Sequence, residues 1–422
     1  MQQNFAVRSL QCLTTKIPFM KIISVVGARP NFMKIAPFIR AIADYNSRQS
    51  AVDSQQSAVG SDQLPMTNTP SPLHHILVHT GQHYDDRMSK AFFEALNIPN
   101  ADINLGVGSG SHAEQVGHTM IAFEKVLVDE KPDWVVVVGD VNATLACSVT
   151  AKKLHIKVCH IEAGLRSRDM KMPEEINRLV TDRLADLLLI PDRLSEENLL
   201  KEGTPKKNIV FVGNIMIDTL ETNREKAKQL SISEIIKDNS LLPEPSSSER
   251  GKGDFALMTL HRPSNVDKKE VLEPIINFLT EEVANDMSII WPIHPRTAGR
   301  LKEFGLWEKI VANPKMILLH PIGYHQMLRL NMDARIMLTD SGGLQEECTV
   351  LGTPCLTLRW NTERPITLRE FGGASVLVGN NVKQIRDEYH HTLKLDRTPQ
   401  RPEYWDGETA ARCVEAIVNY EK

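Results

Sequence analysis

At 422 residues the chain is longer than one ordinary hydrophobic core serves, since single cores stop growing near roughly 250–300 residues, so two domains are expected. With 41% hydrophobic and 24% charged residues, and 49 basic against 53 acidic side chains for a net charge of -4, the composition is globular. It excludes a strong field steering the chain to nucleic acid or a membrane surface.

The six cysteines, Cys12, Cys147, Cys159, Cys348, Cys355 and Cys413, lie far apart, without a CxxC pair or a disulfide-like framework. They read as reduced core residues of a cytosolic protein. No apolar run approaches the ~20 residues that a membrane span requires. Residues 1–19 carry Arg8 and Lys16 without an acid, lack the apolar block of a targeting peptide, and are expected to be a dispensable tail.

From Lys21 onward, short β-branched runs alternate with helical patterns, the signature of parallel strands joined by crossover helices. The first half reads KIISVVG, HILVHTG, DWVVVVGD, KVCHIEAG, DLLLIP and IVFVGN. After a linker near residues 238–253 the rhythm resumes as DFALMTLH, SIIWPIHP, MILLHP, RIMLTDSGG, PCLTL and SVLVG. Near-continuous apolar strands such as Trp134 to Val138 belong to sheets covered on both faces. The fold expected is α/β, with two doubly wound, Rossmann-like domains over residues 20–215 and 216–400, and a C-terminal helix in 401–422 packing back on the N-terminal domain. Within the first domain the Ser-, Gln- and Pro-rich residues 46–72 are expected to form a disordered insertion after the first helix.

Ligands of open α/β sheets bind beyond the carboxyl ends of the strands, so the residues following each strand are the candidates. The first strand ends in Gly27-Ala28-Arg29-Pro30-Asn31, with Lys34 one turn into the next helix, a setting in which free amides and two cations attract phosphate. GxGxxG is absent there and GxxxxGK[ST] is absent throughout, which counts against a nicotinamide enzyme and a P-loop NTPase. Three acids follow strands in the first half: Asp140, Glu162, and Glu174 in the Pro173-Glu174-Glu175 loop. Crowded in one cleft, such carboxylates suit proton transfer, although each alone is more often an exposed or capping acid. In the second half His261 and His294 each precede a Pro-containing turn. A cleft-edge histidine can assist a departing phosphate oxygen, with a structural role as the competing account. Ser341-Gly342-Gly343 opens a helix and suits a diphosphate, with a plain turn as the competing account, and Glu346 and Glu347 follow in its first turns, where the helix dipole favours acids anyway. Arg364, in Asn361-Thr362-Glu363-Arg364-Pro365, reads as a site cation or half of a local salt bridge. HExxH and PCxxC spacings are absent, so no catalytic metal is expected.

Taken together, VGARPNFMKIAP, GDVNATLA, HIEAGLRS, MPEEINR, HRPSNVD, HPRT, LTDSGGLQEE and NTERP resemble the non-hydrolysing UDP-N-acetylglucosamine 2-epimerase family, from about Met20 to the carboxyl terminus. The resemblance implies a glycosyltransferase-B-like architecture, UDP held between the domains, a homodimer, and no cofactor. It also implies the chemistry: loss of the carbon-2 proton with departure of UDP from carbon 1, then re-addition to a 2-acetamidoglucal after protonation of the opposite face. Motif by motif, Asp140, Glu162 and Glu174 become acid/base candidates and His261 a leaving-group assistant. Arg29 and Lys34 are placed in the phosphate and sugar region, Ser341 and Gly342 on the diphosphate, Glu347 on the ribose, and Arg364 on the substrate side.

Departures narrow the reading. Ser264 stands where many relatives carry a glutamate, so the interaction made by that acid is either missing here or supplied by Asn265. The segment Gly81-Gln82-His83-Tyr84-Asp85 keeps only Gln82 and His83 of the pattern that accompanies activation by substrate, and resembles relatives acting on UDP-linked diacetamido uronic acids. With His294, Gln82 and His83 are the candidates for a second site. A hydrolysing epimerase, a glycosyltransferase of the same fold and a nucleotide-sugar sensor are the alternatives.

Overall fold

The computed structural model describes residues 19–27, 29–58, 72–81, 99–242 and 255–420; for residues 29, 30 and 52–58 it describes the backbone alone. Among these residues two wholly parallel sheets form. The first contains β1 (Met20–Val26), β2 (Leu73–His79), β3 (Ile103–Asn104), β4 (Trp134–Val138), β5 (Lys157–Ile161), β6 (Leu187–Ile190) and β7 (Ile209–Phe211), in the order β3-β2-β1-β4-β5-β6-β7. The second contains β8 (Phe255–Thr259), β9 (Ser288–Pro292), β10 (Met316–Leu319), β11 (Ile336–Thr339), β12 (Cys355–Thr357) and β13 (Ser375–Leu377), in the order β10-β9-β8-β11-β12-β13.

Period-2 alternation explains why these runs are apolar throughout. On β4, Trp134, Val136 and Val138 enter one core, while Val135 and Val137 enter the core on the opposite face. Both sheets reverse strand order at their centres, between β1 and β4 and between β8 and β11. A cleft opens at such a switch point, and of the candidates Arg29, Asp140, His261 and Ser341 follow these strands.

One core joins the lobes. Ile215, Ile217 and Leu220 of the helix Ile215–Lys228 pack with β1 and β4 residues, and Tyr324, Leu328, Val350 and Leu351 of the C-terminal lobe belong to the same apolar cluster. The N-terminal core therefore reaches past residue 215, where the sequence pattern ends that domain. Cys413, Val414 and Ile417 of the last helix, Thr409–Val418, lie in this cluster too. Asp218 accepts hydrogen bonds from the Thr409 and Ala410 amides, and the Trp405 indole donates to the Pro191 carbonyl. Tyr420 meets Trp134 edge-on at 4.9 Å.

The expected disordered insertion is corrected at its start. The first helix continues from Arg29 to Ala58, and the Asn46 side chain both donates to and accepts from Leu73, pinning the helix beside the start of β2. The polar composition that suggests disorder is rich in Ala, Gln, Ser and Arg, which an exposed helix accommodates, and the hydroxyls of Ser47 and Ser50 bond carbonyls one turn back. Residues 59–71, the tail before residue 19 and most of the linker lie outside the described residues. No described helix is long and apolar enough to cross a membrane.

Candidate active site

Gly139 and Asp140 follow β4, and Glu162 follows β5 with a φ of 69°. A glutamate in the left-handed region is strained by about 1–3 kcal/mol, a cost that persists where surrounding contacts over-determine the residue. Those contacts are visible. Glu162 is buried, its Oε2 pairs with the Lys34 ammonium, and its Oε1 lies 4.0 Å from the Arg364 guanidinium. A Cβ at Gly139 would sit 3.2 Å from Lys34 Nζ and 3.5 Å from Glu162 Oε2, so these groups close around the turn that carries Asp140.

Asp140 pairs with Arg178, while its side chain keeps 23% exposure. Strand-end reasoning misses Arg178, which is fully buried in the helix Pro173–Leu184 and also pairs with Glu175. Glu175, in turn, accepts the amides of Ser167 and Arg168. Burial works to raise the Glu175 pKa, but these amides and Arg178 outweigh it and hold the carboxyl below its usual range. Of the adjacent pair, Glu175 is therefore a brace and Glu174 is the exposed acid.

Across the cleft, His261 follows β8. Its Nδ1 lies 2.9 Å from Asp340 Oδ1, and Asp340 also accepts the His261 and Arg262 amides and the Asn265 side chain. Burial opposes the ionised form of Asp340, yet His261 and these donors hold its pKa below the ordinary value. Asn265 also donates to the Leu358 carbonyl, so it braces this turn where Ser264 is exposed. His294 lies beside His261, ring centroids 5.7 Å apart, and caps the helix Pro295–Glu303; burial and the neighbouring His261 lower its pKa.

Ser341 precedes the helix Gly342–Leu351 and makes no side-chain capping bond to its first turn. A Cβ on Gly342 would approach Glu363 Oε1 to 2.9 Å and Arg364 Nη1 to 3.2 Å, so glycine is required by this close packing, whereas Gly343 faces open space. Glu346 accepts from Arg364 Nε at 2.8 Å and from Asn214 of the N-terminal lobe at 2.8 Å. Burial, then the nearby Glu162, keep its pKa raised despite Arg364. Glu347 is buried, which pushes its pKa up to about 7, with the Tyr324 hydroxyl acting in the opposite direction.

Arg364 makes the local salt bridge considered for it, with Glu363, and also reaches Glu346 and Glu162. Arg29 begins the first helix, but its side chain, like all of Gln82 and His83, lies outside the described residues. Among the described residues no group of three His, Cys, Asp or Glu side chains is placed to hold a metal.

Asp140 and Glu162 thus follow strands of one lobe and His261 and the Gly342 helix start follow strands of the other, with Glu162 4.0 Å from Arg364 across the lobes. The family model described as UDP-N-acetylglucosamine 2-epimerase matches residues 67–418. The chain belongs to the UDP-N-acetylglucosamine 2-epimerase family. A UDP-N-acetylglucosamine 2-epimerase of Methanocaldococcus jannaschii is 40% identical over 405 residues, covering 96% of this chain and all of the archaeal one. A UDP-2,3-diacetamido-2,3-dideoxy-D-glucuronate 2-epimerase of Pseudomonas aeruginosa is 36% identical over 402 residues, 94% of this chain and 99% of that one. The crystal structure of the Methanocaldococcus jannaschii UDP-GlcNAc 2-epimerase in complex with UDP-GlcNAc and UDP superimposes with a TM-score of 0.79 at 39% identity, covering 95% of this chain and 100% of that one. The two facing parallel sheets are those of the glycosyltransferase-B-like fold of this epimerase family.

Proposed function

We propose that this member of the family interconverts the carbon-2 epimers UDP-N-acetylglucosamine and UDP-N-acetylmannosamine by elimination and re-addition of UDP. One observation supports the reading: Glu162, at the end of β5 in the first lobe, lies 4.0 Å from Arg364 of the second, and Arg364 packs beside the Gly342 helix start. In the forward direction one carboxylate takes the carbon-2 proton, the pair of electrons from that C–H bond forms the carbon 1–carbon 2 double bond, and UDP departs with the electrons of the carbon 1–oxygen bond. His261, held by Asp340, and the helix amides receive the diphosphate charge. In the return step a carboxyl on the opposite face gives a proton to carbon 2 and a UDP oxygen re-forms the bond to carbon 1. Deprotonating one face and protonating the other requires two groups, drawn from Asp140, Glu162 and Glu174.

The test is incubation with UDP-N-acetylglucosamine in heavy water without added NAD, followed by NMR. Deuterium at carbon 2 and signals of the manno epimer are expected. Substrate unchanged in both respects would remove this reading for this sugar. Stoichiometric free UDP would instead mark a hydrolysing epimerase, and turnover only with an added acceptor a transferase. The relative from Pseudomonas aeruginosa favours a second reading, a UDP-diacetamido uronic acid as substrate, and the same assay on that sugar decides between them.

A homodimer is part of the proposal. Ile121 and Val128 of the helix His112–Glu130, and Ile176 and Val180 of the helix Pro173–Leu184, are exposed apolar side chains. A sedimentation mass of twice the monomer is expected, reverting to the monomer in a Val128→Glu, Ile176→Glu variant. The five described cysteines are buried free thiols, which fits a reducing, cytoplasmic setting.

A further inference from the structure

Beneath the acid-bearing turns lies a buried network in the N-terminal lobe that the reaction itself does not use. His160, on β5 and fully buried, places Nε2 2.8 Å from the Gly139 carbonyl and Nδ1 2.6 Å from Asp182 Oδ1. Asp182 Oδ2 accepts the Gly164 amide at 3.0 Å and Arg166 Nη1 at 2.7 Å, and Arg166 turns its other nitrogens to Glu202. Each attachment lies next to a candidate acid. Gly139 precedes Asp140, Gly164 follows Glu162 by two residues, and Asp182 belongs to the helix whose first turn carries Glu174.

The donor and acceptor inventory decides the state of the ring. A carbonyl oxygen only accepts, so Nε2 carries a proton. Asp182 already receives two N–H groups on one oxygen, one of them from a guanidinium, and these stabilise a carboxylate that accepts on the other oxygen too. Nδ1 therefore donates as well.

We infer that His160 is a buried imidazolium, protonated on both nitrogens, and is a positioning residue that fixes the spacing of the Asp140, Glu162 and Glu174 turns through Gly139 and Asp182. Asp182, although fully buried, has its pKa held below the usual carboxylate value; burial opposes this, and His160 and Arg166 outweigh it. A neutral ring would leave one of the two contacts without a donor unless Asp182 took the proton. The turn carrying Asp140 would then be free to shift, and misplacement of a catalytic group by about 1 Å can cost on the order of 100-fold in rate.

The inference rests on the epimerase reading for its kinetic arm only. Whole wild-type protein labelled with 15N-histidine is examined by NMR for rings in which both N–H groups are protected from solvent. One such ring is expected, and its signals vanish in His160→Gln. If no ring of the wild-type protein carries two protected N–H groups, the inference is overturned, whether or not the chain is an epimerase and whether or not the variant folds. In the kinetic arm, His160→Gln and Asp182→Asn are expected to lower kcat by about 10- to 100-fold while KM and UDP affinity stay within about threefold. Equal losses in kcat and UDP affinity would mark general disruption, and rates within about twofold of wild type would show that the ring positions nothing; either result overturns the positioning role.

Discussion

Replacing Glu162 by glutamine is expected to lower kcat by about 100-fold or more while UDP affinity stays within about threefold of the wild type. The amide keeps the volume of the carboxyl and one oxygen for Lys34, so the buried turn after β5 retains its packing and the left-handed backbone at residue 162 its surroundings. What it loses is the ability to hold the proton that carbon 2 surrenders. Wash-in of deuterium at carbon 2, followed by NMR beside UDP titration, separates these effects. A variant that exchanges at the wild-type rate would reassign the proton transfer to Asp140 and Glu174. Asp140 has the exposure for such a role, and Arg178 beneath it sets its orientation.

Arg364→Met is expected to destabilise the fold by about 3–5 kcal/mol near neutral pH, the usual result of removing one partner from a buried charge network. Its guanidinium faces Glu346, Glu363 and Glu162, all buried, and Glu363 keeps a second close cation, Arg359. The pH dependence identifies the cause. Burial works to raise the Glu363 pKa, but Arg364 and Arg359 hold it well below the ordinary value. In the wild type this depressed carboxyl contributes stability that is full above its unfolded pKa and lost as the pH falls. Without Arg364 the folded pKa values rise, the stranded carboxylates take up protons on acidification, and the gap between variant and wild type narrows. Urea unfolding at pH 7.5 and pH 5.5 measures it. A deficit equal at both would assign the loss to packing, and one under about 1 kcal/mol would show that the buried carboxylates manage without Arg364.

Most of the sheet framework is legible because parallel strands covered on both faces are written as continuous apolar runs. Both halves repeat the same grammar, in which a strand ends and a Gly, Pro or charged residue follows. The two-residue strand Ile103–Asn104 carries no such signal and goes unseen. Asp140, Glu162 and His261 can be picked out as strand-end residues from sequence alone. Their supports cannot, because Arg178 lies 38 residues from Asp140, Asp340 79 from His261, and Glu346 132 from its partner Asn214. Local spacing says nothing about such pairs. One local clue does exist: Glu175 and Arg178 are three apart on a helix, the spacing at which side chains meet. The helix running to Ala58 reads as disorder because a chain poor in apolar residues can still be helical when it continues from a packed stem.

The final helix has a consequence for anyone who would divide this protein. The polypeptide crosses to the second lobe and returns, so Cys413, Val414 and Ile417 finish an interior begun some four hundred residues earlier by β1. Cutting between the lobes therefore leaves the first with an unfinished wall, and a chimera assembled from two relatives must take its last strip of chain from the parent that supplied its beginning.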